Sequence, residues 1–584
     1  MQKNTNVWLL AGAIAAACFF NNALAADPEP RSEVQSFLDA SKAADSTQSG
    51  RLESINQDAP SLSPRQSRKQ LQLLANGGPW LNNRGTSGNS RQLIRAIQNA
   101  AHHGLNPESY GLDKILRTVE SLNNSNRASI RASSLQQPAA GRSNEQLRSD
   151  LSAQMDQSFV QLATHLGQGV VDPRATQRML FRDAPQIDTA ALLDSIWSRQ
   201  ASVSAALNTA MPASAEYRRL TTHMRNLLTE RAAGTVRPTL RQPVTLSASM
   251  SHKDVMTIKQ RLVETRELPL NTPITPLFDS QLTIALQQFQ KRHGLLPDGH
   301  VGRMTREALN RSIDDEIQAV ALSLERWRWM PRELGQKHLF INIPDYRVEF
   351  RDGQEIKMSM VSVMGSEDHK TPAFSRDMSY MEFNPTWTVP ESITNSELIP
   401  LEMRNPGYLV SRQFEFLQRV NNHVVVIAPE SVTAADYQTK PFPYTLRQRG
   451  GPINALGRMK FMMPNPYAIY LHDTPEKQHF SFNQRAYSHG CIRLSDPDAL
   501  ATLLMKEDGY SAKEIRKALS DPETHRVRLR THIPTHLTYM TTWIDADGDL
   551  QQRADVYHHD AALLIALQTS DTLLSILNQP IATL

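Results

Sequence analysis

The spacing of apolar residues changes period partway along this chain, and that change fixes the class of fold. Leu151, Met155, Phe159, Leu162 and Leu166 recur at three- and four-residue steps, which puts them on one face of an amphipathic helix closed by Gly167. From Leu339 onward the period drops to two: Leu339, Ile341 and Ile343 alternate with polar neighbours, Arg351-Asp352-Gly353 reads as a hairpin turn, and Met358, Met360 and Val363 form the return strand. A chain carrying both patterns in succession builds a multidomain α+β protein. At 584 residues it is also too long for one core.

Residues 26–65 are rich in Ser, Gln, Asp and Pro and read as a flexible lead-in. Residues 66–247 read as a helical scaffold. His102, His103 and His165 fall in it without the spacing of a metal site, so they are read as solvated or capping histidines. Residues 248–316 form a small three-helix module. Ser251 with Asp254 reads as the capping box of its first helix, and Asp279 or Ser280 as the cap of its second. Residues 317–547 read as a mostly β domain, with further strands expected at 423–428 and 467–472. The span of about 391–451 holds Pro400, Pro406, Pro441 and Pro443 without steady alternation, so it is expected to be a lid insertion over a cleft. Residues 548–584 are a C-terminal tail with a helix.

The formal charge of +4, with no long basic run, argues against a nucleic-acid partner. Lys3, the apolar stretch from Val7 to Phe20 and Ala23-Leu24-Ala25 read as a secretory signal over residues 1–25. The apolar stretch is short of the ~20 residues that span a bilayer. Export to the periplasm is expected, with acylation of Cys18 as the lesser alternative because Ala15-Ala16-Ala17 is a poor lipoprotein box. Cleavage near Ala25 leaves Cys491 as the one cysteine, with no intramolecular disulfide partner.

Cys491 sits in Ser488-His489-Gly490-Cys491-Ile492-Arg493-Leu494. A thiol acts as a nucleophile when a base relieves it of its proton and donors receive the developing oxyanion. His472 and His489 are the candidate bases, and the backbone around Gly490 supplies candidate donors. The helix expected after Ser495-Asp496-Pro497-Asp498 would favour the thiolate electrostatically. Arg493 has the planar fork that suits a substrate carboxylate.

The stretch from Tyr470-Leu471-His472-Asp473 to Ser488-His489-Gly490-Cys491-Ile492-Arg493-Leu494 resembles the active-site signature of L,D-transpeptidases. The resemblance extends through Asn384-Pro385-Thr386-Trp387-Thr388-Val389-Pro390 and Asn454-Ala455-Leu456-Gly457-Arg458-Met459-Lys460-Phe461, as in the large periplasmic branch of that family. Residues 289–305 resemble the second half of a peptidoglycan-binding module, while Arg266 to Pro276 depart from its pattern. The resemblance implies Cys491 as nucleophile and His472 as base, with His489 still open as the alternative. It implies an oxyanion hole of the His489, Gly490 and Cys491 amides, and a substrate site that includes Trp387, Tyr470, Ser488 and Arg493, with Ser488 read as orienting the loop. The implied reaction joins two peptidoglycan stem peptides, donor and acceptor, in a 3–3 cross-link through a thioester. It needs neither metal nor organic cofactor, is open to carbapenem acylation, and leaves other cell-wall synthesis enzymes as candidate partners. A carboxypeptidase, an enzyme attaching lipoproteins to the wall and a non-catalytic wall binder are the alternatives.

Overall fold

A computed structural model describes residues 78–82, 85–131, 143–176, 179–241, 243–421 and 423–570. The expected signal, Cys18 and the lead-in of residues 26–65 lie outside the described residues.

The first part is helical. Ser87 caps Gly88–Gln98 by accepting from the Asn89 and Ser90 amides, and Ser143 caps Asn144–Gln168 in a reciprocal capping box with Gln146. Leu151, Met155, Phe159, Leu162 and Leu166 are all buried, as their spacing requires. The helix runs past Gly167 and is capped at Gly169. A Cβ at Gly167 would meet Ile187, Arg332 and the Ala210 carbonyl within 3 Å, so this glycine permits close packing and does not end the helix. The histidine reading needs correction as well. His103 Nδ1 and His165 Nδ1 lie 3.0 Å from the hydroxyls of Tyr217 and Tyr110, and burial pushes their pKa down to about 3 and about 4. They are neutral interior partners of tyrosines.

The three-helix module comprises Lys253–Glu264, Ser280–Arg292 and Arg303–Leu309 around Val255, Ile258, Leu262, Leu282, Leu286 and Phe289. Asp279 caps the second helix as expected. The first is capped by the ring of His252, which accepts from the Asp254 amide, and not by Ser251.

A buried helix, Ile313–Arg328, leads into nine strands: β1 (Lys337–Asn342), β2 (Arg347–Asp352), β3 (Glu355–Gly365), β4 (Ser375–Phe383), β5 (Met459–Met462), β6 (Leu471–His472), β7 (Ala486–Ser488), β8 (Ile492–Leu494) and β9 (His525–Thr538). Their order is β7-β3-β8-β6-β5-β4-β9-β1-β2, and β2 pairs back onto β3, so the sheet closes on itself. The hairpin falls where Arg351-Asp352-Gly353 predicts it, with Asp352 opposite Glu355 and Gly353 at φ 57°. β6 is shorter than the strand expected over 467–472. Asn465 accepts from the amides of Tyr467 and Ile469 and donates to the carbonyls of Met463 and Ile469, holding a turn in which Ala468 has φ 56°.

The insertion is more ordered than its sequence implies. Trp387–Thr388, Thr445–Gln448, Phe414–Val420 and His423–Ile427 form a four-stranded antiparallel sheet, over a core of Val389, Leu398, Ile399, Leu409, Phe416 and Leu446. The C-terminal segment also belongs to the fold. The strands Thr542–Ile544 and Leu550–Gln552 pair across the 547/548 boundary, and the helix His559–Thr569 is tied to the Ile313–Arg328 helix by Arg326 and Asp560 at 2.5 Å.

Candidate active site

The site forms where β6 and β8 run parallel, with Leu471 opposite Ile492 and His472 opposite Arg493. The Ile492 amide donates to the Tyr470 carbonyl, which carries the pairing back toward Cys491. Residues two apart on a strand share a face, so this register sets Cys491, Arg493 and His472 on one side of the ladder.

His472 is buried, and its Nδ1 lies 2.5 Å from the Asp473 carbonyl. A carbonyl only accepts, so Nδ1 carries the proton and Nε2 keeps a lone pair, the tautomer of a base. Burial first, then the charge of Arg493, pushes the His472 pKa down to about 3. Cys491 is half-buried and its thiol faces the Ala468 carbonyl at 3.7 Å. Burial pushes the thiol up to about 11 against the opposing pull of Tyr470, Lys460 and Arg493. The expected lowering by the following helix is not seen. Asp496 caps Pro497–Glu507 by accepting from the Ala499 amide, placing a carboxylate on the helix end nearest the thiol. Both shifts favour a neutral thiol beside a neutral imidazole.

The loop before Cys491 is pinned on several sides. Ser488 is buried, donates to the Cys491 carbonyl at 2.5 Å and accepts from the Gly490 amide at 3.2 Å. Its hydroxyl bonds both sides of Gly490 and so orients the loop. The same hydroxyl takes the Gly490 amide, while the amides of His489 and Cys491 have no acceptor among the described residues. Gly490 has φ 99°, and Thr371 donates to its carbonyl at 2.8 Å while accepting from the Gly365 amide. Tyr557 in turn donates to the Gly365 carbonyl and accepts from the Thr371 amide.

The remaining residues divide between the two sides. The Tyr470 hydroxyl faces the Cys491 sulfur and the Trp387 indole, and burial raises its pKa. Arg493 does not hold a free fork. Its Nη1 pairs with Glu476 at 2.5 Å, while its Nε is buried without a partner. His489 turns to Glu397 of the insertion, with Nε2 and Oε1 2.5 Å apart. Sequence reasoning gave no role to Lys460, whose Nζ lies over the Tyr470 ring, although a lysine between apolar residues of a strand is a signal of its own. Glu397, Thr371 and Tyr557 carry no local signal.

Residues 336–510 match the family model of the L,D-transpeptidase catalytic domain, 77–224 that of a scaffold domain, and 251–309 that of a "Putative peptidoglycan binding domain". The chain thus carries an L,D-transpeptidase catalytic domain together with a module of the peptidoglycan-binding type. It is 32% identical over 278 residues to a "Putative L,D-transpeptidase" of Haemophilus influenzae, an alignment covering 47% of this chain and 55% of that protein. The chain thus spans about half the length of that relative. Among solved structures, an L,D-transpeptidase of Xylanimonas cellulosilytica aligns at 12% identity over 51% of this chain and 99% of that one, with a TM-score of 0.15. One from Stackebrandtia nassauensis aligns at 11% identity over 51% and 96%, with a TM-score of 0.20.

Proposed function

We propose that this protein is an exported, periplasmic, cysteine-dependent L,D-transpeptidase that joins peptidoglycan stem peptides in 3–3 cross-links. The observation that carries this reading is the fixed tautomer of His472, held by the Asp473 carbonyl on the strand beside the Cys491 segment.

Cys491 Sγ attacks the carbonyl carbon of the third residue of a tetrapeptide stem as its proton passes to His472 Nε2. The carbonyl electron pair moves to oxygen, where the free amides of His489 and Cys491 stabilise it. Collapse breaks the amide bond, His472 returns the proton to the leaving nitrogen, and D-alanine departs. The thioester then meets the side-chain amine of a second stem, which forms the new amide and releases the thiol. The unpartnered Nε of Arg493 and the Trp387–Tyr470 pair offer contacts for the donor stem. The three-helix module supplies a further contact with the wall polymer.

Mass analysis of products tests this reading. Mature protein incubated with disaccharide tetrapeptide should yield cross-linked dimer and free D-alanine. Tripeptide alone would make it a carboxypeptidase, a lipoprotein adduct in cell envelopes would make it an attachment enzyme, and no product would leave a wall binder.

A further inference from the structure

Glu397 differs from the other carboxylates around Cys491. Glu476 is bound to Arg493, Asp473 to Lys477 at 2.7 Å, and Glu382 to Arg526 at 2.6 Å, so each already neutralises a permanent cation. Glu397 bonds only a histidine, His489, two residues from the nucleophile, and about half of its side chain stays exposed. Lys370, the lysine on the nearby 366–371 loop, points instead to the Tyr557 carbonyl. The His369 ring lies tilted against that of His489, with ring centres 4.4 Å apart, walling the pair on that side.

The carboxylate is also rigidly placed. It lies in a π-helical turn, Thr394–Leu398, inside the helical run 391–404. Pro400 has no amide hydrogen to offer the Ser396 carbonyl, and the ladder widens there. Asn395 within the turn accepts from the Phe442 amide at 2.9 Å, while Leu398 and Ile399 are buried in the insertion core. A fixed carboxylate lacking a cation, beside a nucleophile, is what an incoming ammonium group requires.

We propose, on the transpeptidase reading given above, that Glu397 and His489 form the acceptor subsite, which binds the side-chain ammonium of the second stem and selects it over water. The ammonium replaces the imidazole on the Glu397 carboxylate. One proton leaves it for the freed imidazole of His489 and then solvent. The neutral nitrogen attacks the thioester carbon, the C–N bond forms, and the C–S bond breaks with its electron pair going to sulfur. The second proton passes through His472 to that sulfur. The insertion on this reading sets product choice, and His489 is a group of the acceptor side and not the base for Cys491.

The test compares full mature protein with Glu397→Gln and Glu397→Asp. Two quantities are read: the rate of acyl-enzyme formation by mass spectrometry, and the ratio of cross-linked dimer to hydrolysed tripeptide from disaccharide tetrapeptide. Glu397→Gln should acylate within twofold of wild type, while the dimer-to-tripeptide ratio falls at least tenfold and the acceptor concentration for half-maximal aminolysis rises. Glu397→Asp should recover part of that ratio. An unchanged ratio in Glu397→Gln overturns this proposal and leaves the enzyme assignment standing. Equal loss of acylation and aminolysis overturns it too, reducing Glu397 to a brace of the insertion. Absence of acylation in wild type removes the transpeptidase reading, and this inference falls with it.

Discussion

Lys460 Nζ lies 4.3 Å from the centre of the Tyr470 ring, on the strand that pairs directly with His472. This ammonium is mostly buried, and its carboxylate neighbour, Glu382, stands 3.8 Å away and is more closely held by Arg526. Its charge is therefore poorly neutralised on the side of the thiol, and it opposes the burial that raises Cys491. Losing it should raise the thiol pKa further, and at fixed pH the thiolate fraction falls about tenfold each time that pKa climbs by one. Lys460→Met should slow iodoacetamide labelling of Cys491 at pH 8 while leaving acylation by substrate less affected, with Lys460→Arg close to wild type in both. Unchanged labelling in Lys460→Met would make the lysine a packing residue.

The two histidines should separate cleanly by step. Cys491→Ala should abolish acylation with little change in unfolding midpoint, since a small side chain replaces a half-buried one. His472→Ala should slow acylation by about 100- to 10,000-fold, the range for loss of a general base. His489→Ala should leave acylation far less affected, because its ring is turned to Glu397. Single-turnover acylation measured by mass spectrometry distinguishes the two, and a larger loss at His489 would reverse their roles.

Local pattern carried the helices and the hairpin at Gly353, because each is written within one element. What failed depends on contacts between distant segments. β6 stops short because Asn465 holds a turn that outcompetes an apolar stretch with good strand propensity. The insertion looked irregular because Phe414, Phe416 and Leu446 make a core only once strands far apart in sequence pair. Glu397 lies 92 residues from His489, and no spacing rule reaches that far. The helix after Cys491 was correctly expected, but its effect on the thiol was not, because burial outweighs a screened and capped helix end.

Acid should destabilise the fold well before its carboxylates titrate. Burial holds His103, His293, His472 and His559 near a pKa of about 3, and His165 and His536 near about 4. In the unfolded chain these imidazoles titrate near ~6.5. Below that pH the unfolded state binds protons that the folded state refuses, so stability is full above pH ~6.5 and is lost as pH falls toward 4. Urea midpoints measured from pH 7.5 to 4.5 should fall steadily across this window. A flat profile would mean that these rings are solvated and protonate in place.

The same burial governs how the Cys491 thiol responds to reagents. Only the thiolate is alkylated, and with the thiol at about 11 its fraction near neutrality is small. Iodoacetamide labelling of Cys491 should therefore be slow at pH 7 and rise about tenfold per pH unit toward pH 10. Acylation by substrate should not follow that slope, because on the proposed mechanism His472 takes the proton during attack and is already neutral above pH ~5. A strained β-lactam carbonyl occupies the place of the stem-peptide carbonyl, so carbapenem at pH 7 should open on Cys491 and leave a thioester. That adduct should block later labelling at pH 9.5 and be absent in Cys491→Ala. Rapid labelling already at pH 7, with a plateau below pH 8, would show a stabilised thiolate and replace the neutral pair with an ion pair. Full labelling after complete carbapenem loading would place the drug on another group and remove Cys491 as the nucleophile.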